Sequence, residues 1–165
     1  MGVIVDANVL IDYADSDLTV LGVYSREIET IYIPSVILDE VADLDSADLE
    51  RHDLWVIEEP LDLLERAATE SGDGLSFQDR VCLHLAREQG MRCITNDAPI
   101  HRKCKDQGVE VVWGLRPMIE LVKADYLSVN AAMHVASHIH NNNPHYVHEG
   151  ILKRFQSEIG RSYDS

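Results

Sequence analysis

The sequence predicts an α/β fold: a three-layer α/β/α sandwich with a central, mostly parallel sheet and a C-terminal helical extension. Three observations lead there. Short apolar runs rich in β-branched residues alternate with segments of helical period. Those runs lack the in–out alternation of a half-solvated sheet, as expected for strands covered on both faces. No Pro- or Ser-rich linker divides the 165 residues, which suffice to bury a real core. Residues 1–115 are expected to form the main domain, and 116–165 a helical extension packed on it.

Gly2-Val3-Ile4-Val5 reads as a buried strand. A helical pattern follows from Asn8 to about Tyr13, breaks over Ala14–Asp17, and resumes through Leu18–Ile28. Ile31–Ile33 is the second strand, ended by Pro34. Ser35 is then expected to cap a helix carrying Val36, Ile37, Glu40 and Val41. Leu54–Ile57 is the third strand, Leu61–Ala68 a helix, and 70–74 a Gly-rich loop. Ser76 to Gln89 is amphipathic and closed by Gly90. Cys93–Thr95 is a strand, Pro99–Gln107 a helix and Val109–Trp113 the last strand, with helices from Pro117 onward.

Composition narrows the class. Hydrophobic residues at 45% and charged residues at 26% exclude a disordered chain. No apolar run reaches the roughly 18 residues of a membrane span, so no membrane partner is expected. The N-terminus lacks the basic region of a secretion signal. Three cysteines without a CxxC pair fit neither a disulfide framework nor a zinc ribbon, and suit a reducing cytoplasm. The net charge of −15 argues against a broad basic face for nucleic acid. It is uneven: residues 1–79 hold three basic and 20 acidic side chains (−17), and residues 80–165 hold 11 and nine (+2).

In an open α/β sheet, function gathers at the carboxyl ends of the strands. Asp6 and Asp97 follow predicted strands, Glu40 falls in the helix after the second, and Asp79 lies in the first turn of the 76–89 helix. Each has a plainer explanation taken singly. Asp6 and Asp97 can cap helices, Ser76-x-x-Asp79 fits a capping box, and Glu40 can sit on a solvated stripe with Asp39 and Asp43. Together they place three or four carboxylates at one edge, where mutual repulsion raises their pKa values or demands a cation. Oxygen donors without Cys or His suit Mg²⁺ or Mn²⁺ rather than zinc.

Four segments carry a resemblance: Ile4–Ile11 (IVDANVLI), Ile33–Val41 (IPSVILDEV), Leu75–Ala86 (LSFQDRVCLHLA) and Ile94–Asp97 (ITND). In order and approximate spacing they are similar to the PIN-domain family over roughly residues 1–115. The resemblance implies a divalent-metal-dependent ribonuclease acting on single-stranded RNA, with Asp6, Glu40, Asp79 and Asp97 as its catalytic, metal-binding quartet. It implies Asn8, Thr95 and Asn96 as supporting polar groups. Many relatives are toxins of toxin–antitoxin pairs, which makes an antitoxin protein a candidate partner, and relatives commonly pair, so a homodimer is expected. Two features depart from the family pattern. Asp39 adjoins Glu40, and helical phase relative to Val36, Ile37 and Val41 selects Glu40. The further acid that several relatives carry beyond the last motif is absent, with Ala98 and His101 standing there.

An acidic protein can bind RNA through local cations, and Arg80, Arg102, Lys103 and Lys105 are the candidates for phosphate contacts. His134 and His138, four apart with further histidines downstream, raise a transition-metal site, but no HExxH pattern completes it and surface positions explain them better. Cys82 has the phase of a small core residue. The rival from another class is a non-catalytic PIN-like module that binds RNA or protein without cutting, and intact Asp6, Glu40, Asp79 and Asp97 argue against it. A receiver domain or aspartate-nucleophile phosphatase fits less well, because Asp6-Ala7-Asn8 lacks the second aspartate and no lysine stands at a strand end.

Overall fold

Five short strands carry the fold: β1 (Gly2–Val5), β2 (Thr30–Pro34), β3 (Leu54–Ile57), β4 (Arg92–Ile94) and β5 (Val111–Val112). All neighbours are parallel, in the order β3-β2-β1-β4-β5. Parallel neighbours require crossovers, and helices supply them. α1 (Ala7–Ala14) and α2 (Leu18–Glu27) join β1 to β2, and α3 (Ser35–Leu38) and α4 (Ser46–Arg51) join β2 to β3. α5 (Leu61–Thr69) and α6 (Phe77–Gln89) lead to β4, and α7 (Ala98–Asp106) to β5. α8 (Arg116–Lys123), α9 (Val129–Asn142) and α10 (Glu149–Asp164) complete the chain. This computed structural model describes residues 2–164.

From β1 the chain steps outward through β2 to β3, then returns to place β4 on the other side of β1. Right-handed crossovers put helices made in opposite directions on opposite faces. Accordingly α6 packs on β1 and β4, while α2 packs on β2 and α8. That gives three layers with β1 at the centre, where Val3, Ile4 and Val5 are fully buried. The same apolar core takes in Met118 and Leu121 of α8, Val135 and Ile139 of α9, and Phe155 and Ile159 of α10. No described helix is long and apolar enough to cross a membrane.

Capping chemistry sets several boundaries. Asp6, Asp17, Ser76, Asp97 and Ser128 each accept a backbone N–H from the first turn of the helix they precede. Gly90 closes α6 at φ 66°, a left-handed conformation that glycine adopts without cost.

One expectation is corrected, and one helix is added. The helix expected from Ser35 through Val41 is a single turn, α3, and Glu40 lies in the turn after it. Ser35 does not cap it. The Glu59 carboxylate does, accepting the Ser35 hydroxyl at 2.6 Å and the Val36 amide at 3.0 Å. Beyond Leu38 the bonds tighten to three-residue spacing, Glu40 N–H to Ile37 C=O and Val41 N–H to Leu38 C=O, so helical phase does not govern Glu40. The acidic run at 43–53, to which the sequence reading assigns no element, is mostly exposed and contains α4. Its apolar period is absent because only Leu49 is buried, and the reciprocal Asp45–Asp48 capping box starts it instead.

Candidate active site

The strand order reverses at β1 and β4, and the crevice beyond their carboxyl ends is where α/β sheets bind ligands. Val5 pairs with Ile94, so the next residues, Asp6 and Thr95, stand side by side. Asp6 is only 3% exposed. One of its oxygens accepts the Val9 amide at 3.0 Å as the cap of α1, and the other accepts the Thr95 hydroxyl. The Thr95 hydroxyl oxygen in turn accepts the Asp97 amide at 3.0 Å, and Asp97 caps α7 through the Ile100 amide. One threonine thus ties the two strand-end aspartates together.

Burial pushes the Asp6 carboxyl up to about 7, against its hydrogen bonds with Thr95 and Val9, and the Asp79 and Asp97 charges raise it further. Asp79, half-buried in the first turn of α6, is raised by burial and by Asp97. Glu40 is raised by burial and then by Asp79. The Cys82 thiol is fully buried and is raised by burial, with Asp6, Asp79, Glu40 and Glu59 adding to the effect. These carboxylates therefore lie within each other's electrostatic reach around one end of the sheet. Among the described residues, none of Asp6, Glu40, Asp79 and Asp97 has a Lys, Arg or His ion-pair partner.

A desolvated carboxylate without a cationic partner is either protonated or in need of a cation. The all-oxygen donor set fits a hard divalent ion in chemistry. Among the described residues no three His, Cys, Asp or Glu side chains come close enough to form a ready-made ligand shell. The same separation holds for the tail histidines: His138 meets the Ser16 hydroxyl and His140 the Val147 carbonyl, with no shared centre.

The remaining predicted residues divide. Thr95 supports Asp6 directly, whereas Asn8 is exposed on α1. Asn96 is buried and turned aside, accepting the Gly114 amide at 2.9 Å and donating to Asp12 at 3.4 Å. Arg80 does not face a substrate. Its guanidinium donates to both oxygens of Asp73 and to the Ala67 carbonyl, pinning the Gly-rich loop to α5 and α6. Arg102 and Lys105 are exposed on α7, and Lys103 is half-buried.

Three side chains with notable contacts escaped sequence reasoning. Glu59 stands two residues past β3, and the strand-end rule applied to Asp6 points to it equally. Asp12 is 7% exposed on the buried face of α1 with Val9 and Tyr13, and accepts Asn143 Nδ2 at 2.9 Å. Burial pushes it up to about 6, against hydrogen bonds from Asn143 and Asn96. Trp113, just past β5, stacks on His101 with ring centroids 3.6 Å apart.

Gly114 closes the Asn96 network, since an added Cβ would lie 2.7 Å from Asn96 Nδ2 and 2.8 Å from its Oδ1. Gly114→Ala is expected to cost about 1–3 kcal/mol in chemical denaturation by displacing that amide. Wild-type stability in this variant would show Asn96 to be dispensable.

A family model of PIN-like domains matches residues 3–117. The chain belongs to this family. PIN-like domains are generally nucleases and usually use divalent metals. Among solved structures, the chain is similar to a PilT N-terminus domain protein from the hyperthermophilic archaeon Sulfolobus solfataricus. That likeness covers 78% of this chain and 95% of the other at 12% identity and a TM-score of 0.51, and at such identity it shows the fold alone. No curated protein matches the chain.

Proposed function

We propose that this PIN-like domain is an endoribonuclease that hydrolyses single-stranded RNA with Mg²⁺ or Mn²⁺ held by Asp6, Asp79 and Asp97. The observation that carries the reading is Asp6: a buried carboxylate at the topological switch point, with no cationic partner among the described residues, raised by burial and further by two neighbouring aspartates. Drawing those aspartates together is opposed by repulsion unless a cation lies between them. When bound, the ion supplies charge neutralisation at the phosphodiester.

The chain's own residues do the rest. Thr95 and the Val9 amide fix the Asp6 carboxylate, and Thr95 fixes the backbone of Asp97. Glu40, exposed at the rim and raised by burial and Asp79, is suited to orient the attacking water and take up its proton. Arg102, Lys103 and Lys105 are the phosphate contacts, and Arg80 holds the loop rather than the RNA.

The test is cleavage of a fluorescently labelled single-stranded RNA. Asp6→Asn and Asp97→Asn should each lower the rate by about 100-fold or more, as should chelation of the divalent ion. Wild-type cleavage by either variant overturns the assignment. The toxin role, with an antitoxin partner, predicts a short neighbouring reading frame encoding a DNA-binding head and a helical tail.

A further inference from the structure

The edge strand β5 carries a second feature that hydrolysis itself does not require. A groove of about 440 Å³ lies between β5, α8 and α10, walled by Val112, Ile119 and Phe155, with Trp113, Arg116 and Arg154 along it. That volume falls within the usual range for a small-ligand site. One of the groove's lining residues stands level with the carboxylates because β5 runs parallel to β4: the Thr95 amide donates to the Val112 carbonyl at 3.1 Å, which places Trp113 next to Thr95 at the same end of the sheet.

A relay of contacts fixes the indole there. The Thr95 side chain holds Asp6, and its carbonyl meets His101 Nε2 at 2.7 Å. The His101 ring then carries Trp113 at an interplanar angle of 18°. Trp113 remains 44% exposed and lines the groove, so its position is set while much of its surface stays available.

Charge indicates what the groove takes. In a chain of net −15, Arg116 and Arg154 are both exposed on it, and neither guanidinium has a hydrogen-bond or ion-pair partner among the described residues. The acid on the wall, Glu158, already has an interaction of its own. Arg102 and Lys105 are exposed on α7, the helix that Asp97 caps and that carries His101. A planar aromatic platform with arginines beside it binds a base by stacking and its phosphates by charge.

We propose that this groove is a nucleotide subsite, in which a base of single-stranded RNA flanking the cleaved bond stacks on Trp113 and its phosphates meet Arg116 and Arg154. The subsite rests on the nuclease reading only in that the bound base neighbours the cleaved bond, and its test separates the two.

The chain has two tryptophans, and Trp55 lies on β3 at the opposite edge of the sheet. In a Trp55→Phe background, Trp113 is the sole indole reporter. Titration with a hexauridylate in EDTA should quench it. Trp113→Ala should weaken hexauridylate binding about 10-fold, measured by anisotropy, and Trp113→Tyr should restore most of the loss. Arg154→Ala should weaken binding and flatten its salt dependence. Inorganic polyphosphate, which has no base, should not reproduce the quench.

Unaltered affinity in both Trp113→Ala and Arg154→Ala overturns the subsite, even if the wild type cleaves RNA. Quenching by an acidic amphipathic peptide and not by hexauridylate also overturns it, in favour of a protein partner. Quenching and variant effects in a protein that cleaves nothing with Mg²⁺ or Mn²⁺ support the subsite and end the nuclease reading.

Discussion

Asp6→Asn is expected to raise the melting temperature in EDTA at pH 8, by roughly 10 °C, and to leave it nearly unchanged at pH 4. The sign follows from where the proton prefers to be. Burial holds the Asp6 carboxyl at about 7 in the folded chain, against 3.8 for the free side chain. The folded state therefore binds a proton that the unfolded state has released between those values. The stability conferred by the protonated form is complete below pH 4 and is lost as pH rises through 7. A shift of about three units corresponds to on the order of 4 kcal/mol, and for a chain of this size each kcal/mol moves the melting point by about 2–4 °C.

Asparagine carries no charge, caps a helix about as well as aspartate, and can still accept the Val9 amide. The stability gap between variant and wild type should thus open with pH along a single titration. Adding Mn²⁺ at pH 8 should close it by stabilising the wild type alone. A gap independent of pH would mean that Asp6 is not the desolvated charge described above. The gain in stability and the loss of cleavage then have one cause, a carboxylate kept where a cation needs it.

How far the sequence placed the residues of the candidate site depends on which physical signal each one carries. Asp6, Asp79 and Asp97 were legible because strand ends and helix caps are local: an apolar run followed by an acid, or Ser three residues ahead of Asp, marks a position without knowledge of the rest. The capping box at Ser76 and Asp79 is present as read, and the same Asp79 also faces Asp97, so the structural and functional explanations are compatible. Glu40 was located by the wrong argument, since the helix whose phase selected it stops at Leu38. What depends on pairing between distant segments was hidden. Arg80 looked like a free cation because its partner Asp73 lies across a loop, and Trp113 looked like the end of a strand because its platform, His101, comes from a separate element, α7. α4 was illegible for the opposite reason: one buried leucine among acids has no period to read.

Arg92→Met is expected to destabilise the fold by about 3 kcal/mol while leaving the cleavage rate per folded molecule unchanged. Arg92 opens β4, at the end of the sheet opposite the carboxylates, and its side chain is 15% exposed. Its guanidinium donates to the Tyr24 hydroxyl at 2.5 Å, to both oxygens of Glu120 at 3.3 and 3.4 Å, and to Glu29 at 3.4 Å. The Tyr24 hydroxyl donates to Glu120 at 2.8 Å, so α2, β4 and α8 meet at one guanidinium. Removing it leaves two part-buried carboxylates facing each other with no cation, which costs more than the pair contributed. Removing the charge on both sides should cost less: Arg92→Met with Glu120→Leu is expected to recover most of the loss, because apolar replacement of a whole buried pair is often neutral. Thermal melts of the single and double variants at fixed pH measure this. A single variant that melts with the wild type would show α8 to be held by its apolar face alone. The contrast with Asp6 is the informative part: at one end of the sheet, carboxylates are neutralised by an arginine and stabilise the fold. At the other end they are left without one, and on the proposed reading that deficit is what a divalent ion would offset.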